Sequence, residues 1–272
     1  MASAFCHNAG PDLDAPLSRE GISRMRENRI KRKLQAGQPV HVVSGHANTD
    51  MIDYLGHFGF DGIWLEGEHG PLSWEQIGDM SRACDLWGMT SVTRVNNNEP
   101  GIIMRALDRG TMGIVVPHVN SRQDAEKAMK STKYTPMGYR GMFGGRQAFG
   151  VPDYVHRANE QTMVVVLIEE IEAVDHLAEI LTVDNIDVFF VAPSDLSQTM
   201  GHLGNPGHPE VQAVIDKALA QIIAAGRTAG TLVNDANVER YLKAGVRFCM
   251  TGWTNWVAQG AAAYLQKTAA IR

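Results

Sequence analysis

Cysteine is scarce in this chain: Cys6, Cys84 and Cys249 are the only three in 272 residues, far apart and with no CxxC spacing. That spacing excludes a disulfide scaffold, a zinc ribbon and a thioredoxin-like pair, and makes reduced thiols in a cytoplasm the simplest account. Long hydrophobic runs are missing too, since no stretch approaches the roughly 18 apolar residues that a membrane-spanning helix needs. The opening MASAFCHNAGPDLDAP has neither a basic start nor an apolar stretch, so it does not look like a secretory leader. Excess positive charge is absent: 25 Lys and Arg against 30 Asp and Glu leave a net charge of −5. The densest basic cluster, RMRENRIKRKLQ, carries apolar residues at helical spacing and reads as a solvated helix face rather than a polyanion site. Neither nucleic acid nor membrane is an expected partner. Finally, no G-x-G-x-x-G turn follows the first apolar run, and GMFGG at 141–145 falls in a long loop, which counts against an open doubly wound nucleotide-binding sheet.

What is present is regular. The composition is 44% hydrophobic and 20% charged, ordinary for a globular domain with a substantial core. From residue 40 onward, eight short runs read as strands, at 40–44, 62–66, 90–94, 112–116, 163–169, 187–192, 228–233 and 246–251. Amphipathic stretches at 49–58, 73–87, 99–109, 121–131, 171–181, 209–225, 235–243 and 254–267 read as helices. Short strands apolar on both faces, separated by segments long enough for right-handed crossovers, imply a parallel sheet. Eight such units in about 230 residues match an α/β fold of the (β/α)8 TIM-barrel type. Residues 1–17 are expected to be a poorly ordered tail. An additional N-terminal helix is expected over 18–36, between a Ser18 cap and a Gly37 stop, within a single domain from 18 to 272.

In such a barrel the chemistry sits at the carboxyl ends of the strands. Strand two ends in Glu66, Glu68 and His69, strand three in Arg94, strand five in Glu169 and Glu170, and strand six runs into Ser194 and Asp195. A charge at the end of an apolar strand is costly unless it is paired, hydrated or metal-bound. Glu169 and Asp195 lie on adjacent strands, where two carboxylates can meet one divalent ion, Mg2+ or Mn2+ by preference, with Co2+ or Zn2+ also admitted. Taken singly, each residue has a plainer reading: Asp195 as a helix cap, His69 as a structural histidine, Arg94 as a surface ion-pair member. Their joint placement on one rim favours a common site. His46 and His118, after strands one and four, stand where they can reach the same mouth, whereas His41, His57, His156, His202 and His208 receive no role. No lysine occupies a strand end, which argues against Schiff-base chemistry.

From about residue 30 to residue 265 the chain resembles the HpcH/HpaI class II pyruvate aldolases, through GFDGIWLEGEHGP, TRVNNNEP, RALDRGTMGIVVPHV, YTPMGYRG, IEEIEAV and VFFVAPSDLSQTMGHLGNPGHPEV in that order. The resemblance implies a (β/α)8 barrel, a hexamer built as a dimer of trimers with the terminal helix exchanged, and cleavage of a 4-hydroxy-2-oxo acid to pyruvate and an aldehyde, or the reverse addition. It implies Glu169 and Asp195 as metal ligands, His69 as base, Arg94 as the residue that steadies the enolate, and Asp108 as the carboxylate supporting the histidine. It also places the carboxylate of a 2-oxo acid against the amides near Ser194 and Asp195. Leu167 departs from a usual glutamine, Glu66 from a usual aspartate, and Val43 from a pocket tryptophan. The loop GYRGMFGGRQAFGVPDY looks about four residues shorter than in these aldolases, and its Arg146 and Gln147 are candidates for a lid or for the distal end of a substrate. The readings carried beside the aldolase are an oxaloacetate decarboxylase or macrophomate-synthase-like enzyme on the same enolate, a non-catalytic 2-oxo-acid binding protein, and a citrate-lyase-like enzyme, for which no basic patch suited to CoA is evident.

Overall fold

The computed structural model describes residues 25–269 and Ile271. Helix α1 (Arg29–Gln35) precedes an alternation of β1 (Val40–Ser44), α2 (Thr49–Gly56), β2 (Gly62–Glu66), α3 (Trp74–Leu86), β3 (Thr90–Arg94), α4 (Pro100–Asp108), β4 (Gly113–Val116) and α5 (Arg122–Thr132). It continues with α6 (Tyr154–Gln161), β5 (Met163–Ile168), α7 (Ile171–Asp175), α8 (Leu177–Ile180), β6 (Val188–Val191), α9 (Pro193–Thr199), α10 (Pro209–Ala224), β7 (Ala229–Leu232), α11 (Val238–Ala244), β8 (Phe248–Gly252) and α12 (Trp253–Ala269). All neighbouring strands are parallel, and β1 pairs with β8 from Val40 opposite Phe248 to Ser44 opposite Gly252, so the sheet closes on itself as the expected (β/α)8 barrel.

Alternate strand residues face opposite ways, and both sides are dry. Trp64, Val92, Val115, Leu167, Phe190 and Phe248 fill the lumen, where the Phe190 ring lies 5.4 Å from Trp64 and 6.0 Å from Phe248. The other face packs on the helices, and Val43 belongs there, buried with Leu55, Leu65 and Met80. Packing the lumen with large rings makes the barrel a solid support whose polar groups are confined to its ends.

The helix before the barrel begins at Arg29 rather than at residue 18, because residues 25–28 are not helical and Asn28 is the cap, accepting the Lys31 N–H at 3.0 Å. The Ser18 cap and the tail over 1–17 lie outside the described residues. Ile30 on α1 is fully buried in the lumen cluster and plugs the amino-terminal end of the barrel. A Cβ on Gly62 would stand 2.6 Å from Ile30 Cδ1 and 2.4 Å from the Thr90 carbonyl, so that contact requires glycine. Two helices escape the sequence pattern, α6 and α9, and the single helix expected over 171–181 is broken at His176, whose backbone (φ −94°, ψ 7°) leaves helical geometry.

Asn28 ties the plug in place. Its amide donates to the carbonyls of Met112 (3.1 Å) and Gln161 (2.8 Å), and its Oδ1 also accepts from Thr90 Oγ1 at 3.1 Å. It is 1% exposed, so Asn28→Ala leaves two carbonyls and a helix N-terminus unsatisfied. We expect a loss of about 2–3 kcal/mol in urea denaturation.

Candidate active site

The connection Glu66-Gly67-Glu68-His69-Gly70 turns sharply over the end of β2. Both glycines are required by close approach: a Cβ on Gly67 would lie 2.5 Å from the Arg94 carbonyl oxygen, and one on Gly70 would lie 2.6 Å from that of Glu66. Glu66 organises the turn. Its Oε1 accepts the N–H groups of Glu68 (2.9 Å) and His69 (3.0 Å), its Oε2 accepts Trp64 Nε1–H (3.1 Å), and Arg94 Nε approaches the two oxygens at 3.0 and 2.8 Å. Arg94, at the end of β3 directly beside Glu66 in register, places Nη1 3.0 Å from Glu68 Oε2. One guanidinium is thus held by two carboxylates.

The chain of charge continues around the rim. His118 follows β4 in the left-handed backbone region (φ 54°), which turns its N–H toward Glu169 Oε1 at 2.8 Å. Its ring reaches Glu170 Oε1 through Nδ1 (2.8 Å) and Glu68 Oε1 through Nε2 (3.2 Å). Burial opposes charge on this imidazole, yet the hydrogen bond that its Nδ1–H donates to Glu170 and the charges of Glu169 and Glu68 hold its pKa above the ordinary histidine value. Glu169 is 1% exposed, and its Oε2 has no hydrogen-bond partner. Burial pushes its carboxyl up to about 7, against the His118 N–H, the His118 charge and Arg94, which pull it down.

Asp195 and Ser194 lie in the first turn of α9, one strand further on, where the N–H groups have no intrahelical acceptor. A cavity of about 210 Å3 joins Arg94, His69 and Glu66 to Ser194 and Asp195, with Trp64, Leu167 and Phe190 from the lumen beneath it. Leu167 is 1% exposed and forms an apolar floor. His69 itself is two-thirds exposed and stands 4.0 Å from Glu68. A second cavity of about 310 Å3 opens from the same Glu66 and His69 toward Ser44 and His46.

Several expectations are redirected. Asp108 is the last residue of α4, which runs back from the mouth, so it sits at the opposite end of the barrel from His69, 2.8 Å from Arg140 Nη2. Within one chain it does not support the histidine. Val43 lines neither cavity, because it faces the helix layer. The loop carrying Arg146 and Gln147 joins α5 to α6 at that same amino-terminal end, fastened by Arg146 to Asp85 and Ser81 and by Gln147 to the Gly110 carbonyl, so it is no lid over this chain's mouth. In the sequence His118 is only a histidine within reach of the mouth; its left-handed backbone, the feature that aims its N–H at Glu169, leaves no mark in the pattern. Among the described residues one trio brings three metal-ligand atoms within 4.8 Å, His202, His208 and Glu210. It has a structural account: the imidazoles stack at 3.7 Å and His208 Nδ1 caps α10 by accepting the Glu210 N–H.

Glu66 gives a direct test of this rim. Burial alone would raise its carboxyl, but the Arg94 charge, the His69 N–H, the Arg94 hydrogen bond and the Glu68 N–H together hold it below its ordinary 4.5. A depressed folded value stabilises fully above the unfolded value and is lost as the pH falls through the folded one. Glu66→Gln should therefore cost about 2 kcal/mol at pH 7, and in denaturation series the gap to wild type should narrow as the pH falls below the ordinary carboxylate value of 4.5.

Among the described residues no helix is long and apolar enough to cross a membrane. The sequence profile of the HpcH/HpaI aldolase/citrate lyase family matches residues 42–259. A 4-hydroxy-2-oxo-heptane-1,7-dioate aldolase of Salmonella dublin is 38% identical over 244 residues, covering 87% of this chain and 93% of that one. A solved HpcH/HpaI aldolase/citrate lyase family protein from Burkholderia cenocepacia J2315 superposes with a TM-score of 0.83 at 30% identity, covering 89% of this chain and 99% of that one. Macrophomate synthase superposes with a TM-score of 0.78 at 20% identity, covering 90% and 92%, a likeness of fold alone. With its closed barrel and its rim of paired charges, the chain belongs to the HpcH/HpaI aldolase/citrate lyase family.

Proposed function

We propose that this protein is a metal-dependent class II aldolase, cleaving a 4-hydroxy-2-oxo acid to pyruvate and an aldehyde and running the addition in reverse. The observation that carries this reading is Glu169: buried, with one oxygen fixed by the His118 amide and the other without a partner, on the strand beside Asp195. A buried carboxylate with a bare oxygen is costly unless a cation meets it, so the residues fit a divalent ion held by Glu169 and Asp195. Two hard oxygen donors favour Mg2+ or Mn2+, with Co2+ or Zn2+ admitted. When bound, the ion supplies the positive field that makes a carbanion beside a ketone tolerable as an enolate.

The chain's own groups do the rest. The Ser194 and Asp195 amides at the start of α9 receive the carboxylate of the oxo acid. Arg94, kept rigid by Glu66 and Glu68, turns its positive charge toward the enolate oxygen. His69, at the wall shared by the two cavities, accepts the proton of the C4 hydroxyl. As that proton leaves, the C3–C4 bond breaks, its electron pair becomes the C2=C3 bond while the carbonyl pair moves onto the C2 oxygen, the aldehyde departs, and return of the proton from His69 to C3 gives pyruvate. Leu167 and Phe190 beneath the site keep water from protonating the enolate at random.

The protein is also proposed to be a homo-oligomer, a hexamer built as a dimer of trimers. In support, α12 has no buried residue along its 17 positions and exposes Val257, Tyr264 and Leu265, although a helix of that length gains most of its stability from packing. Two buried free thiols, Cys84 and Cys249, support a cytoplasmic location.

Pyruvate release from a panel of 4-hydroxy-2-oxo acids, with Mg2+ or Mn2+ added, should show turnover. His69→Ala should lower kcat by about 10²- to 10⁴-fold. Glu169→Gln should abolish metal binding by titration calorimetry while circular dichroism stays unchanged. Turnover absent from the whole panel, or a higher kcat/KM for oxaloacetate decarboxylation than for any cleavage, would defeat the reading. Light scattering should return the mass of a hexamer.

A further inference from the structure

The two cavities at the mouth share the wall formed by Glu66 and His69 but differ in charge. The smaller holds Arg94 and the α9 amides, the groups that suit the 2-oxo acid half. The larger is lined by Ser44, His46, Leu72, Gln76, Met80 and Thr254 among others, and among the described residues no lysine or arginine faces it. Arg94, next door, is already engaged by Glu66 and Glu68. Glu66, whose carboxylate is taken up by Arg94 and the turn amides, offers an incoming anion no donor on this wall. At about 310 Å3 the cavity has room for about ten water-sized groups, enough for a small aldehyde.

Resting on the aldolase reading above, we propose that this larger cavity is the aldehyde subsite and that it selects a neutral, hydroxyl-bearing aldehyde over one carrying a distal carboxylate. A carboxylate placed there would lose its hydration, meet Leu72 and Met80, and find no lysine or arginine of this chain on the wall to pair with. A terminal hydroxyl would find the Ser44 and Thr254 hydroxyls, the His46 ring and the free amide N–H2 of Gln76, whose Oε1 is occupied by the Ser73 N–H at 2.8 Å. His69, on the shared wall, adjoins both halves, as the proton transfer at C4 demands. The Salmonella dublin relative, by contrast, is named for a 1,7-dioate, whose aldehyde half carries a second carboxylate. The two proteins then share the pyruvate half and differ in what the other cavity accepts.

The experiment has two arms on the intact, metal-loaded protein. Deuterium uptake into the methyl group of pyruvate in D2O reports enolate formation without any aldehyde. Initial rates of addition to 4-hydroxybutanal and to succinic semialdehyde, each referred to its open-chain aldehyde concentration, compare acceptors that differ only in a terminal CH2OH or carboxylate. We expect exchange, and at least a tenfold higher kcat/KM for 4-hydroxybutanal. Thr254→Lys, which adds a cation at an exposed position on the cavity wall, should reduce that ratio at least threefold. Exchange with equal or preferred use of the semialdehyde overturns the inference and leaves the enolate reading standing. Exchange with the expected preference but a ratio unmoved by Thr254→Lys overturns the assignment of this cavity. Absence of exchange overturns the proposed function, and this inference with it.

Discussion

Arg94 sits between Glu66 and Glu68, 2.8 and 3.0 Å from their oxygens, and the mouth of the barrel is arranged around that cation. Register places Arg94 beside Glu66 at the ends of two neighbouring strands. Glu66 then spends its remaining capacity on the N–H groups of Glu68 and His69, so the same carboxylate that pairs the cation sets the direction of the turn bearing His69. Glu68 passes the charge on to His118, and the His118 N–H fixes one oxygen of Glu169. A break at Arg94 would release two half-buried carboxylates at once. The length of the Glu66 side chain matters for the same reason: its reach lets it grip Arg94 Nε with both oxygens.

The barrel separates this chemistry from its scaffolding. Everything that follows a strand faces the mouth, and everything that follows an outer helix faces the other end. Asp108 and the loop of Arg146 and Gln147 fall on the second side and there form a net with Arg140, Asp85 and Gly110 that secures the floor around α1. Between the two ends lies a lumen of aromatic and branched side chains, which gives the charged rim a stiff, dry base. Leu167 at the top of that lumen belongs to both: part of the core by burial and part of the site by position.

Much of this was legible beforehand, for physical reasons. Strands buried on both faces leave continuous apolar runs, so β1, β2 and β3 carry the boundaries expected of them. Charged residues at strand ends are conspicuous against such runs, which is how Glu66, Glu68, His69, Arg94, Glu169 and Asp195 came to be assigned to one rim. The α9 helix escapes the pattern because its seven residues are too few for a clear helical period, although a proline at its first position with an acid two residues on marks its start. The positions of Asp108 and of the long loop were illegible from residue type alone, since only the up-and-down course of the chain decides which end of the barrel they occupy. Nor does sequence announce the positive φ of His118, because a histidine there is uncommon and no glycine or asparagine marks the turn.

In the proposed arrangement the charged rim presents Glu169 and Asp195 to one cation, with the oxo acid held between Arg94 and the start of α9. Anomalous scattering from Mn2+ in crystals grown with pyruvate tests it most directly. A peak within coordination distance of both carboxylates is expected, with pyruvate density against Arg94 and the Ser194 and Asp195 amides. A peak confined to His202, His208 and Glu210, or pyruvate bound away from Arg94, would contradict it.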